Sequence, residues 1–150
     1  NSMSTGWSPP FWTDVYQPQL REACALIHAA GGTADYYDDG KCMAILDLLA
    51  DAGIDVLETL TPPPVGDVDL AAVKRRIGDR VCLKGYTDLI YVLKLGTPDL
   101  IDRTVRDAIA VAGPTGFILG TSDSIRDGTP IENVRAYFAA ARKYGALGKG

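Results

Sequence analysis

Histidine is almost missing from this chain and cysteine is scarce, with one His and three Cys in 150 residues. The cysteines, Cys24, Cys42 and Cys82, are odd in number and no two have Cys-x-x-Cys spacing, which excludes a disulfide framework and points to a reducing compartment. Nothing resembles a Ser-His-Asp triad, a P-loop or a Rossmann glycine fingerprint. The lone His28 falls near the end of the first predicted helix, where a partly exposed imidazole suits the helix dipole. No apolar run approaches the roughly 18 residues of a transmembrane helix. The start lacks the charged and apolar segments of a signal peptide. The expectation is a cytoplasmic protein with no membrane partner. Basic residues are outnumbered, 15 Lys and Arg against 19 Asp and Glu, for a net charge of −4. Their one dense stretch, Lys74-Arg75-Arg76, reads as a solvated helix face. Nucleic acid, which requires phosphate neutralisation, is not an expected partner.

What is present is an ordinary globular balance, 47% apolar and 23% charged, in a length that suits one domain and can bury a core. A complete (β/α)₈ barrel needs about 250 residues and does not fit. Residues 1–7 read as an N-terminal tail, with Asn1-Ser2 before Met3 as a tag or vector remnant and Met3 as the native start. Residues 8–150 read as the folded domain.

Turn and cap chemistry divides that domain cleanly. Ser8-Pro9-Pro10 opens a helix that Pro18 restarts, with Leu20, Cys24 and Ile27 inward and Gly31-Gly32 at its end. Residues 33–37 form a short strand running into the turn Asp38-Asp39-Gly40. A helix with Met43, Leu46, Leu49 and Ala50 on one face stops at Gly53. Residues 54–58 are the second strand, and Thr61-Pro62-Pro63-Pro64 is a rigid exit. Asp69 caps a helix with Leu70, Val73 and Ile77 inward. Residues 80–85 are the third strand, followed by a helical segment over 88–95. Thr97-Pro98 starts a helix with Ile101, Val105 and Ile109 inward, broken at Gly113-Pro114. Residues 116–120 are the fourth strand. Thr129-Pro130-Ile131-Glu132 reads as a capping box for a last helix carrying Val134, Tyr137 or Phe138, and Ala141. Short apolar strands alternating with helices imply parallel pairing through right-handed crossovers. The fold class is therefore α/β: half of a TIM-type barrel, with four parallel strands.

Several stretches, in this order and spacing, carry a resemblance. They are Ser8-Pro9-Pro10-Phe11 through Pro18, Asp39-Gly40 after a strand, and Pro64-x-Gly66-Asp67-x-Asp69-Leu70. Lys84-Gly85-Tyr86-Thr87-Asp88, Gly96-Thr97-Pro98, Gly116 to Gly120, and Gly128-Thr129-Pro130-x-Glu132-Asn133-Val134 follow. Over residues 8 to 145 the chain resembles the C-terminal part of the uroporphyrinogen decarboxylase and corrinoid methyltransferase superfamily. The resemblance implies a lyase or methyltransferase ancestry.

Chemistry in such a barrel sits at the C-terminal ends of the strands. The polar residues converging there are Tyr37, Asp38 and Asp39, then Glu58 and Thr59, then Tyr86, Thr87 and Asp88, then Thr121 to Ser124. Tyr37, Asp39, Glu58, Asp88, Ser122 and Asp123 are the ligand-binding candidates. Tyr37 can donate a hydrogen bond or stack on a flat ligand. Glu58 and Asp88 can contact a ligand or act as acid and base, or Asp88 can cap the following segment. Cys42, near the rim, is the candidate reactive thiol. The methyltransferase branch activates a thiol on zinc with a His-x-Cys-Gly pair and a late Cys. The matching positions here are Tyr37, Asp39 and about Asp123, so zinc is not an expected cofactor. Asp38, Asp39 and Asp123 are weak candidates for a harder cation, against a plain turn at Asp38-Asp39-Gly40. The decarboxylase branch's late His is replaced by Thr121 to Ser124, and its carboxylate-binding arginines and key acid belong to the absent half.

A four-strand half-barrel leaves two unpaired edges and one apolar face open. The expected remedy is a homodimer closing 4 + 4 strands. A separate chain supplying the missing half and a decayed fragment that still folds are the alternatives. Two functions follow. One is an enzyme-derived domain binding a small molecule at the rim, with methyl-transfer or decarboxylation chemistry only alongside a partner. The other is a non-catalytic binding or assembly module.

Overall fold

Strands and helices alternate along residues 6–145, the part of the chain that this computed structural model describes. Asn1, Ser2 and Met3, read above as a remnant and a start, lie outside the described residues. Ser8 caps α1 (Pro9–Phe11), its Oγ accepting from the Phe11 N–H at 3.3 Å. The next turn, Trp12–Tyr16, is π-helical, and the Gln17 N–H reaches back to the Trp12 carbonyl. Pro18 has no N–H to return to Asp14, and the wider turn carries the helix through the position where a restart or kink was expected. α2 (Gln17–Ala29) follows without a stop.

The sheet is β1 (Asp35–Tyr37), β2 (Val56–Thr59), β3 (Cys82–Thr87) and β4 (Phe117–Thr121), paired in that order and parallel throughout. Each strand begins one or two residues later than the sequence reading placed it. The earlier residues are spent on turns: the Ala34 carbonyl takes both the Asp55 and Val56 N–H groups, and Arg80 and Val81 both return to the Ile77 carbonyl.

Between the strands lie a 3₁₀ turn (Met43–Ile45) leading to α3 (Leu46–Ala52), then α4 (Leu70–Ile77), a π-helical turn (Leu89–Lys94) with α5 (Pro98–Ala112), and finally α6 (Ile131–Tyr144). Gly53 ends α3 with φ 93°, a left-handed conformation that glycine adopts freely. Asp69 and Thr97 cap α4 and α5 as expected, through the Ala72 and Leu100 N–H groups. The capping box before α6 does not form. Thr129 Oγ1 donates instead to the Arg126 carbonyl at 2.7 Å, and Pro130 stands at the cap with no side-chain bond.

One face of the sheet is dry. The register row Tyr36, Leu57, Leu83 and Phe117 packs against helices, with Trp12, Leu46, Leu49, Val73 and Ile77 in the same core. A second cluster, Leu93, Ile101, Val105, Tyr137 and Ala140, joins α5 to α6. One inward assignment is corrected, since Ile27 is exposed; of the Tyr137 and Phe138 alternatives, Tyr137 is the buried one and Phe138 faces out. Helices pack serially, α2 on α3, α3 on α4, α4 on α5 and α5 on α6.

The other face carries Asp35, Val56 and Cys82, then Tyr37, Glu58, Lys84 and Ile118, none of them fully buried. Lys84 Nζ sits 3.1 Å from Asp35 and 3.0 Å from Glu58. The open face is therefore charged along its length, where an apolar one was expected, because its alternate residues face solvent and keep their hydration. Among the described residues, the outer edges of β1 and β4 pair with nothing. The architecture is an open, partial β/α barrel.

Candidate functional site

The strand C-termini form one rim, and its geometry is set first by backbone. Thr59, Leu60 and Tyr86 take positive φ, at 87°, 47° and 84°. For a β-branched residue such as Thr59 this is strained backbone, of the kind that clusters at functional sites. Gly85, with φ 122°, lies so close to β2 that a Cβ there would meet the Thr59 carbonyl oxygen at 2.3 Å.

Tyr37, at the end of edge strand β1, and Asp123, in the loop after the opposite edge strand β4, line one cavity, and each shifts the other's proton affinity. Asp123 accepts from the Ser124 N–H at 2.6 Å and pairs with the Arg126 guanidinium. Partial burial pushes the Tyr37 hydroxyl up, the Asp123 charge adds to it, and the result is about 12. Burial pushes the Asp123 carboxyl up too. The Ser124 N–H, the Tyr37 hydroxyl and Arg126 outweigh it and hold the group below its usual range. A cavity of about 280 Å³ is lined by Tyr37, Glu58, Lys84, Thr121, Asp123 and Ser124. A neighbouring cavity of about 240 Å³ shares Asp123 and adds Asp39, Asp88, Ser122 and Arg126.

The candidate residues thus have different fates. Tyr37, Glu58 and Asp123 line the first cavity; Glu58, followed by Asp35, holds the Lys84 ammonium above its ordinary value. Asp39 lines the second cavity. Asp88 is buried, and one oxygen caps the π-helical turn by accepting from Ile90 at 2.8 Å and Tyr91 at 2.5 Å. Ser122 is buried as well and accepts from the Leu89 N–H at 3.3 Å. Ser122 thereby fastens the turn after β3 to the loop after β4. Asp38 is 1% exposed and faces Tyr36 rather than the rim. Its carbonyl accepts from Thr59 Oγ1 at 2.9 Å. Burial, and then the Asp38 charge, push the Tyr36 hydroxyl up. Asp38, Asp39 and Asp123 do not converge: no group of three metal-ligating side chains gathers among the described residues.

Cys42 is corrected from reactive to inert. It is 1% exposed, and burial, with Asp67 and Asp38 nearby, pushes its thiol up to about 12, which suppresses the nucleophilic thiolate. Cys82 is half-buried on the open face, not in the core. His28 pairs with Asp55 at 2.7 Å, at the opposite end of the sheet from the rim. The sequence reading missed Asp67, whose carboxylate accepts from the Cys42 N–H at 2.9 Å and Met43 at 3.2 Å and so fixes the loop after β1. Its signal was present in the Gly66-Asp67 stretch, since a Cβ on Gly66 would meet the Thr61 carbonyl at 2.1 Å.

The fold and the sequence are matched by known proteins. The family model for Uroporphyrinogen decarboxylase (URO-D) matches residues 1–144. The chain belongs to the uroporphyrinogen decarboxylase family. Among curated relatives, the uroporphyrinogen decarboxylase of Trichodesmium erythraeum is 26% identical over 69% of this chain and 27% of its own length. The chloroplastic uroporphyrinogen decarboxylase of Zea mays is 30% identical over 65% of this chain and 23% of its own. The methylated-thiol–coenzyme M methyltransferase of Methanosarcina mazei is 28% identical over 69% of this chain and 26% of its own. The chain spans about a quarter of the length of each of these relatives. A solved methyltransferase from Methanosarcina mazei superposes with a TM-score of 0.77 at 24% identity, covering 93% of this chain and 39% of that one. That likeness establishes the fold. Among the described residues no helix is long and apolar enough to cross a membrane.

Proposed function

We propose that this chain binds a small polar molecule at the C-terminal rim, in the cavity that Tyr37 and Asp123 line together, without carrying decarboxylation or methyl transfer by itself. The observation that supports this reading is that cavity. Groups from β1, β2, β3 and the loop after β4 line one polar space of about 280 Å³. The side chains there are oxygen donors and acceptors plus one ammonium, with no thiolate or imidazole to activate a thiol on zinc.

The test is a titration of isotope-labelled chain with a panel of small amines, carboxylates and zwitterions, following backbone amides by NMR. Saturable shifts at Thr59, Tyr86 and Asp123 that Tyr37→Phe weakens are the expected result. A panel that leaves the rim unmoved, or that moves it equally in Tyr37→Phe, rejects the site. The zinc question has its own arm: adding Zn²⁺ to the unaltered chain is expected to leave the rim amides unchanged.

A further inference from the structure

We propose that the second rim cavity, of about 240 Å³, is a binding site for a primary alkylammonium group. The inference goes beyond the reading given for the first cavity and is tested separately from it.

The first observation is one oxygen atom. Asp88 is only 3% exposed, and its Oδ1 accepts from both the Ile90 and the Tyr91 N–H groups. Among the described residues Oδ2 takes no hydrogen bond, yet it is not sealed from solvent, and the side chain lines the cavity. A carboxylate oxygen held this deep is costly until a donor reaches it. The turn's own N–H groups are already spent on Oδ1, so that donor comes through the cavity.

Two more acceptors stand in the same walls. Thr61 Oγ1 and Ser122 Oγ are as buried as Asp88, and each accepts one N–H bond, from Gly40 at 3.2 Å and from Leu89 at 3.3 Å. A hydroxyl oxygen has two lone pairs, so each keeps one acceptor position open. A carboxylate oxygen and two hydroxyl oxygens suit an –NH₃⁺ head, which carries three donors and no acceptor.

The charge agrees. Asp39, Asp88 and Asp123 line the cavity against one guanidinium, Arg126, which pairs with Asp123. A cation offsets that surplus, and an anion would enter against it. The carboxylates do not gather round one point as a metal's ligands would: among the described residues no such group of three exists. Val65 and Leu89 line the same space and offer an alkyl stem an apolar surface.

The walls are fixed before a ligand arrives. On one side Thr59 Oγ1 donates to the Asp38 carbonyl and Asp67 accepts from Cys42 and Met43, which hold the loop after β1 to β2 and its loop. On the other, Ser122 holds the loop after β4 through Leu89 and through its own N–H, which donates to the Thr87 carbonyl at 2.8 Å. Walls ordered in advance lower the cost of binding.

The experiment titrates the isotope-labelled full chain with n-propylammonium chloride and follows backbone amides by NMR. Tetramethylammonium chloride at equal ionic strength, a cation without N–H donors, controls for screening. Saturable shifts at Ile90 and Tyr91 are expected with propylammonium alone. Asp88→Asn keeps an Oδ1 to cap the turn and replaces the open oxygen with a donor, so affinity should fall by about tenfold. Arg126→Met removes the opposing charge and should tighten binding by about threefold. Equal shifts with tetramethylammonium, or parental affinity in Asp88→Asn, overturn the proposal. A loss seen with Tyr37→Phe but not with Asp88→Asn places the amine in the first cavity and overturns it too. Should Asp88→Asn disturb the turn itself, Arg126→Met decides, and unchanged or weaker binding there overturns the site.

Discussion

The two faces of this sheet are built from the same strands yet obey opposite rules. On the helix side, Leu57 and Leu83 lie in register with no exposed surface, between Tyr36 and Phe117. One residue along on each strand, Tyr37, Glu58, Lys84 and Ile118 stand in the next row, half-exposed and mostly polar. The dry face carries the packed core. The wet face contributes little to that and carries the charge and the rim. In this fold, then, stability and recognition are separated by a single step along each strand.

The comparison breaks most visibly in the core. Trp12→Ala should cost about 3–5 kcal/mol, and Leu83→Ala about 2–5 kcal/mol, by loss of burial and the cavity left behind. A urea titration reads both, and Ile118→Ala on the wet face should fall within about 1 kcal/mol of the parent. A Leu83 variant as stable as the Ile118 variant would erase the distinction. Next in size is Asn133→Ala, which strands two carbonyl acceptors that the amide now satisfies. A loss of about 1–3 kcal/mol is expected, with faster exchange in α6 before the rest of the chain unfolds.

Smaller still is Lys84→Met. It removes the cation between Asp35 and Glu58, and partly exposed pairs of this kind are worth at most about 1 kcal/mol. Its diagnostic is salt: the difference from the parent should shrink between low and high ionic strength. The smallest effect belongs to Tyr37. Its folded value of about 12 lies above the ordinary tyrosine value of about 10. The contribution of the protonated Tyr37 hydroxyl is therefore fully present below about pH 10 and is lost as pH rises toward 12. Spectrophotometric titration should show one tyrosine fewer ionising near pH 12 in Tyr37→Phe, with unfolding curves of the two proteins converging above that pH.

Much of the fold was legible because its signals are local. Ser8, Asp69 and Thr97 cap helices through N–H groups three residues away, and the strand–helix alternation follows from short apolar runs and their stops. Thr129 shows the limit of that logic: a sequence with the right spacing gave its hydroxyl to a turn instead. The wet face could also have been read, since Asp35, Tyr37, Glu58 and Lys84 alternate with Tyr36, Leu57 and Leu83. The expectation of a uniformly apolar parallel sheet overrode the alternation. The site was legible as a rim and as a set of candidates, not as an arrangement. Tyr37 meets Asp123 across 86 positions of sequence, and nothing in either neighbourhood names the other. Asp38 and Asp39 are adjacent in sequence, and which of the two faces the rim depended on where Tyr36 packs.

The near contact of Gly85 with the Thr59 carbonyl has a consequence for how this molecule can vary. No side chain of any size can appear at position 85 unless the backbone around Thr59 relaxes first, and that relaxation alters the shape of the rim. The two positions are therefore locked together in sequence space. A library that randomises the rim while holding Gly85 fixed should yield many folded variants, and one that frees Gly85 alone should yield almost none.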